Sequence, residues 1–207
     1  MRERCLSGLF IFNYPVPAPT AHNLLTDLLG QIPDLRPGDA AAFAAQWQEP
    51  VVLRRGDFLV RPGQIEHRLC WVRRGLLRIY YPTPAGEETC VGFGHAASML
   101  CSFPSFVTGL PSEYAIQALR QSELLAISRV DFQTFLNSVP ALANFWRAEL
   151  EKVLVGRMEH EIDLLLPEPA QRLARLRQRN PGIFQVVPGK YLASYLRMTP
   201  ETLSRLA

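Results

Sequence analysis

The sequence predicts an α+β chain: an antiparallel barrel or sandwich of short strands, then one long helix, then a basic helical segment. Three observations predict it. Between residues 50 and 94 the apolar pattern has a period of two, and glycine or proline turns cut it at near-regular spacing. From Pro140 to about Leu166 the pattern turns helical. From Pro167 onward seven basic residues stand against two acidic ones, whereas the residues before it carry fifteen against seventeen. A near-neutral body with a basic tail is a mild pointer to nucleic acid.

Composition narrows the class. The 207 residues are 48% hydrophobic and 20% charged, with a net charge of +3, as in ordinary globular chains. No run approaches the roughly 18 apolar residues of a membrane span. Cys5, Cys70, Cys90 and Cys101 are too scattered for a disulfide scaffold or a zinc site. Residues 1–19 read as a leader. MRERC-LSGLFIF begins like a secretory signal, but Pro15, Pro17 and Pro19 follow without a small-residue cleavage site. The expected location is therefore the cytoplasm, with reduced thiols.

The elements follow in order. Thr20 can cap a first helix striped by Leu24, Leu25, Leu28 and Leu29, and Asp39 a second running to about Trp47. The strands are VVLRR, FLVRP, HRLCWVRRG, LLRIYYP and EETCVGFG, with turns at Gly56-Asp57, Pro62-Gly63, Gly75 and Pro82 to Gly86. Leu69 and Trp71, and then Leu76, Arg78 and Tyr80, alternate as in a half-buried sheet. Residues 95–113 break the pattern and read as a loop or short helix on the sheet. Strands resume at YAIQALR and SELLAISR, and Asp131 opens a short helix. Pro140 suits the first turn of the long helix. Its Leu150, Leu154, Met158 and Ile162 recur at i, i+4, with Val153 beside them. Glu149, Glu151, Lys152, Arg157, Glu159 and Asp163 are expected on its solvent faces. A helix of this length with a narrow apolar seam usually packs on a second copy.

The segment KYLASYLRMTPETLSR, residues 190–205, has the grammar of a helix-turn-helix. Thr199 is an N-cap and Pro200 the first helical position. Arg205 has the donors for guanine O6 and N7, Glu201 can accept from cytosine N4, and Thr202 or Ser204 can reach a phosphate or a thymine methyl. Lys190 is counted with them as a DNA-facing cation. A plain helical hairpin with a polar surface fits the same segment.

Several motifs together resemble the Crp/Fnr family of bacterial transcription factors. They are LRRGDFLVRPGQIEHRLCWVRRGLLRIYY, SELLAISRVDF and LASYLRMTPETLSR, and the likeness runs over roughly residues 20–207. The resemblance implies an antiparallel β-roll of the cyclic-nucleotide-binding, jelly-roll kind with flanking helices, a long dimerisation helix and a winged helix-turn-helix. On this chain it divides as leader 1–19, sensor roll 20–138, dimer helix 139–166 and helix-turn-helix 167–207. It implies a homodimer on a two-fold-symmetric double-stranded DNA site, with Glu201 and Arg205 reading bases and Thr199 and Ser204 touching the backbone. Pro200 replaces a basic residue that some members carry. The family's recognition helix continues into a β-hairpin wing, whereas this sequence ends two residues after Arg205. The expectation is a C-terminally truncated member, with only a partial winged helix-turn-helix, that binds specific DNA weakly or not at all.

The dimer seam is expected at Leu150, Val153, Leu154, Met158 and Ile162. The effector pocket is expected around Met99, Leu100, Phe103, Phe106, Ser112, Glu113 and Tyr114. A cyclic nucleotide brings a phosphodiester anion, and burying it needs a cation or several donors. No Lys or Arg lies between Arg78 and Arg120, and Ser112-Glu113 stands where nucleotide-binding members carry Arg-Ser. The pocket is thus degenerate: it takes a less charged ligand or is filled core, and an unidentified small-molecule effector stays open. No cofactor is expected. The iron–sulfur branch needs a cysteine cluster near Cys5, and His67 and His95 are lone haem-ligand candidates. No metal site is expected either; Glu159, His160 and Asp163 read as a solvated helix face. No nucleophile has an identifiable base, so the chain is not expected to be an enzyme. The alternative functions are a dimeric interaction module without DNA binding and a cyclic-nucleotide-responsive regulator. Calorimetry with cyclic AMP and cyclic GMP is expected to show no micromolar binding; such binding would refute the charge argument.

Overall fold

A computed structural model describes residues 24–206. The leader, Cys5 and the Thr20 cap lie outside the described residues. Two short helices, α1 (Leu24–Leu29) and α2 (Pro37–Ala44), precede the strands. These are β1 (Gln48–Leu53), β2 (Phe58–Val60), β3 (Arg68–Arg74), β4 (Leu76–Pro82), β5 (Glu88–His95) and β6 (Ser98–Leu100). Helix α3 (Phe103–Thr108) intervenes before β7 (Ala115–Ala118) and β8 (Ser122–Ser128). They form two four-stranded antiparallel sheets, ordered β1-β8-β3-β6 and β2-β7-β4-β5, in a jelly-roll-like arrangement. Helices α4 (Arg129–Ser138), α5 (Pro140–Leu165), α6 (Pro169–Arg179), α7 (Ile183–Val186), α8 (Gly189–Tyr195) and α9 (Pro200–Leu206) complete the chain. No helix among the described residues is long and apolar enough to cross a membrane.

Three apolar clusters hold these layers together. Leu59, Val72, Leu77, Ile116 and Leu124 fill the space between the sheets. Phe43, Trp71, Met99, Phe132 and Leu142 join the outer face of one sheet to α2, α4 and the start of α5. Leu76, Cys90 and Phe93 join the other sheet to Leu173, Leu192, Tyr195 and Leu203 of the C-terminal helices. Strand β3 is consequently buried on both faces from Leu69 to Val72. The half-buried sheet expected from its alternation is therefore corrected, because helices cover the face that would otherwise meet water.

Local departures have local causes. Ser98–Leu100 is a strand, not loop or helix, because it pairs with β3 with Leu100 opposite Cys70. The cap of α4 is Ser128, whose hydroxyl accepts from the Asp131 N–H at 3.0 Å. Asp39 does not cap α2. Arg36 precedes it and Pro37 opens it, and the Asp39 carboxylate instead accepts from Arg36 Nε at 2.7 Å. That helix stops at Ala44, short of Trp47. The connector before the helix-turn-helix holds the short helix α7.

Gly75 joins β3 to β4 at φ 113°, and a Cβ there would sit 2.2 Å from Ser122 Oγ. Gly86 has φ 84° but open space around it. Gly75→Ala is expected to destabilise by more than about 3 kcal/mol in urea unfolding, and Gly86→Ala by about 1 kcal/mol, since only the first adds a clash to backbone strain.

Candidate functional site

Helices α8 and α9 meet across a tight turn. Arg197 takes the left-handed conformation there (φ 54°), and the Met198 N–H donates to the Ala193 carbonyl at 3.0 Å. Thr199 Oγ1 accepts from the Thr202 N–H at 3.2 Å, so the cap expected of Thr199 is formed. Leu192, Ala193, Leu196 and Leu203 are buried between the helices. Glu201, Ser204 and Arg205 are exposed on the outer face of α9, with Thr202 half-buried beside them. The Thr199 hydroxyl and the first-turn backbone hold the Glu201 carboxyl below its usual range, the backbone contributing more. Lys190 is exposed at the start of α8, its ammonium 4.7 Å from the Tyr191 ring centre.

Buried charge locks the C-terminal helices to α5. Asp163 is fully buried, and its Oδ1 accepts from Arg175 Nε at 2.6 Å and from Arg179 Nη1 at 2.7 Å. Arg179 Nη2 bonds the other oxygen, and Arg175 Nη2 reaches Glu159 Oε2 at 2.7 Å. Arg172 donates to the carbonyls of Leu196 and Arg197 at the turn, at 2.8 and 2.9 Å. Much of the basic excess after Pro167 is therefore spent inside the protein.

The helix-turn-helix is also docked on β5. The Cys90 N–H donates to Ser194 Oγ at 2.9 Å, and Arg197 Nη1 to Thr89 Oγ1 at 3.0 Å. His160 of α5 stacks flat on Tyr195 of α8, ring centres 3.9 Å apart, and Tyr195 packs on Phe93.

A cavity of about 580 Å³ opens between the roll and α5. Ile79 and Val91 form its floor, Cys101 to Pro104 and Tyr114 one wall, and Leu150, Val153, Leu154 and Arg157 the helix wall. Arg157 Nη1 donates to the Val91 carbonyl at 3.1 Å. The residue as a whole is exposed, yet burial around its guanidinium lowers its pKa.

Comparison with known proteins bears on this architecture. Residues 50–139 match the cyclic nucleotide-binding domain. The chain is 27% identical over 169 residues to the fumarate nitrate reduction regulatory protein of Klebsiella oxytoca, and equally to its Escherichia coli counterpart. Each match covers 74% of this chain and 65% of the relative, so the chain spans less than two thirds of these relatives' length. Among solved structures, CooA of Carboxydothermus hydrogenoformans aligns with a TM-score of 0.66 at 18% identity, covering 91% of this chain and 84% of that one. The c-di-GMP responsive regulator CLP of Xanthomonas campestris aligns at 0.65 and 17%, covering 83% and 89%. Over this length the chain resembles regulators of the Crp/Fnr family.

In this chain the expected pocket residues separate. Phe103 and Tyr114 line the cavity. Met99, Leu100 and Phe106 do not: Met99 and Phe106 belong to the core beneath α4 and α5, and Leu100 to the core between the sheets. Ser112 is buried and bonded to Ser102 Oγ at 2.7 Å, and Glu113 points into solvent. The helix wall, Arg157 above all, escaped the sequence reading. Arg157 is an ordinary helical arginine more than forty residues from the cassette, and only the crossing of α5 over the roll brings it there.

The expected seam divides too. Leu154, Met158 and Ile162 are 61%, 57% and 46% exposed, and Val155 and Leu165 are exposed beside them. Leu150 and Val153 are half-buried against the cavity instead. The solvated face expected of Glu159, His160 and Asp163 is corrected: His160 and Asp163 are buried under α6 and α8, and Glu149 is buried with its carboxylate on Lys152 Nζ at 2.5 Å. No cluster among the described residues could hold a metal. Cys70, Cys90 and Cys101 are buried, and burial pushes the first two thiols up to about 12 and raises Cys101 well above the usual thiol range. They are therefore poor redox sensors at neutral pH.

Burial pushes the His160 imidazole down to about 4 against the nearby Asp163 charge, with Arg157, Arg179 and Arg197 adding in the same downward direction as burial. For Asp163, burial alone would raise the pKa, but the bonds from Arg179 and Arg175 outweigh it and hold the carboxyl low. Both folded values lie below the unfolded ones, so both contributions are complete above the unfolded pKa and fade as pH falls. Stability is expected to drop between pH 6.5 and 4 as unfolded His160 takes up protons first. Urea midpoints of His160→Gln should be flatter than those of the unsubstituted protein across that window.

Proposed function

We propose that this chain is a homodimeric, DNA-binding transcriptional regulator whose roll responds to an effector other than a cyclic nucleotide. The observation that carries the reading is α9. It is a capped helix on a buried apolar bed, with Glu201, Ser204 and Arg205 together on its outer face. In that position Arg205 and Glu201 have the chemistry for major-groove base edges. Thr199, Thr202, Ser204 and Lys190 have that for the sugar–phosphate backbone. The kinship with named regulatory proteins supports it. No catalytic role is proposed, and the compartment proposed is the cytoplasm.

The effector reading rests on the cavity. A phosphodiester with a ribose needs several fixed polar partners. Glu113 is turned away, and the Ser112 hydroxyl is engaged with Ser102 and the Tyr114 backbone. The route to DNA is short: Val91, on the cavity floor, adjoins Cys90, which bonds Ser194 of α8. An event in the cavity can therefore shift the balance between two arrangements of the helix-turn-helix.

One observation favours a second reading, a dimeric interaction module without DNA binding. Arg172, Arg175 and Arg179 are engaged internally, which leaves a thin positive field around α9. Footprinting and selection of bound sequences with a chain of natural length separate the two. A regulator protects a two-fold-symmetric site and loses affinity steeply with salt; an interaction module protects none. Arg205→Ala is expected to cost about 1–3 kcal/mol and to relax specificity at one base pair of each half-site.

The exposed stripe Leu154, Met158 and Ile162 is proposed as the dimer seam, continued by Val155 and Leu165. Met158→Glu, outside the cavity wall, is expected to shift the sedimenting mass from dimer to monomer. An unchanged dimer at the same concentration would place the seam elsewhere.

A further inference from the structure

We infer that the cavity between the roll and α5 binds a hydrophobic monocarboxylate, with Arg157 as the group that reads its acid. The inference rests on the proposal that this cavity is the effector site, and it names the ligand's chemistry. The walls are almost wholly apolar: Ile79, Val91, Phe103, Leu150, Val153 and Leu154 offer no polar side chain. A volume of about 580 Å³ lies within the range of pockets that enclose a small organic ligand. Among the described residues that line it, Arg157 is the sole charged side chain. Charge complementarity therefore asks for one anionic group on an otherwise apolar body.

The kind of anion follows from the cation. A guanidinium is a planar fork of five donors that matches a carboxylate two-to-two. Partial burial among apolar atoms weakens water's competition for that fork, so an acid there gains more than it would on an open surface. A cyclic nucleotide fits worse. Its ribose hydroxyls and phosphodiester would need partners along the cassette wall, where Phe103, Pro104 and Tyr114 stand and the Ser102 hydroxyl already meets Ser112 Oγ at 2.7 Å. A neutral apolar ligand would make no use of the Arg157 charge at the cavity wall. An acid seated on Arg157 also competes with the Val91 carbonyl, which now accepts from Nη1 at 3.1 Å. Val91 adjoins Cys90, the β5 residue whose N–H holds Ser194 of α8, so the ligand would act on the strand that carries the helix-turn-helix.

The test is calorimetry on the full chain with four probes: decanoate, 4-phenylbutyrate, 4-phenylbutanamide and cyclic AMP. The expected result is that 4-phenylbutyrate binds at least tenfold more tightly than its neutral amide, that decanoate also binds, and that cyclic AMP does not compete. Arg157→Gln is expected to erase the preference for acid over amide, and Arg157→Lys to keep part of it. Val153→Trp, which fills the cavity, should abolish binding of both. The acid–amide comparison in the unsubstituted protein decides the matter even where a variant fails to fold. The inference is overturned by equal binding of acid and amide, by no binding of either acid, or by displacement of both acids by cyclic AMP. Footprinting with a chain of natural length keeps the two readings apart. Lost acid binding with an intact footprint refutes the ligand class alone, whereas acid binding with no footprint refutes the regulator and leaves the ligand class standing.

Discussion

Asp163 is the constraint on which the C-terminal half depends. A carboxylate with no exposed surface is tolerable only if it is paired and fully hydrogen-bonded. Arg175 and Arg179 meet that demand from one face of α6, and in doing so they set the rotation of α6 on α5. Arg172, on the same helix, then closes on the carbonyls of the helix-turn-helix turn. The orientation of α9 is thus passed along a chain of arginine contacts that begins at one buried acid. Replacing such a clasp by an apolar pair is often tolerated thermodynamically, but here it would also release the geometry.

A second dependence runs through β5. One face of this strand closes the apolar cluster with α8, and its backbone meets Ser194 on one side and Arg157 on the other. Few residues therefore separate the cavity from α8 and α9. Beside that apolar cluster stand a few polar contacts, Ser194 on the Cys90 N–H, Arg197 on Thr89 and Arg157 on the Val91 carbonyl.

Much of the fold was legible because its signals are local. Pro140 and Pro167 bracket the long helix, and its observed span, Pro140–Leu165, falls within a residue of the expected one. Thr199-Pro200 marks the start of α9 for reasons of capping chemistry that hold in any context. The turn glycines at 56, 63, 75 and 86 all have positive φ, as strand connections of this kind require. What misled was polarity read as exposure. Asp163, Glu149 and His160 look like surface residues in a helical pattern, yet each is buried against a partner from elsewhere in the chain or, for Glu149, from the next turn.

The sequence by itself determined the class of fold, the order of its elements and the capped start of α9, because periodicity, caps and turns are short-range properties. Tertiary structure alone decided which side chains share a site. Met99, Leu100 and Phe106 went to the core, Arg157 came to the cavity, and Arg175 and Arg179 turned inward to Asp163. The physical reason is that burial and pairing depend on where α5 and α6 cross the sheets. That crossing is fixed by the summed packing of three clusters and by one buried carboxylate, and no window of sequence contains it.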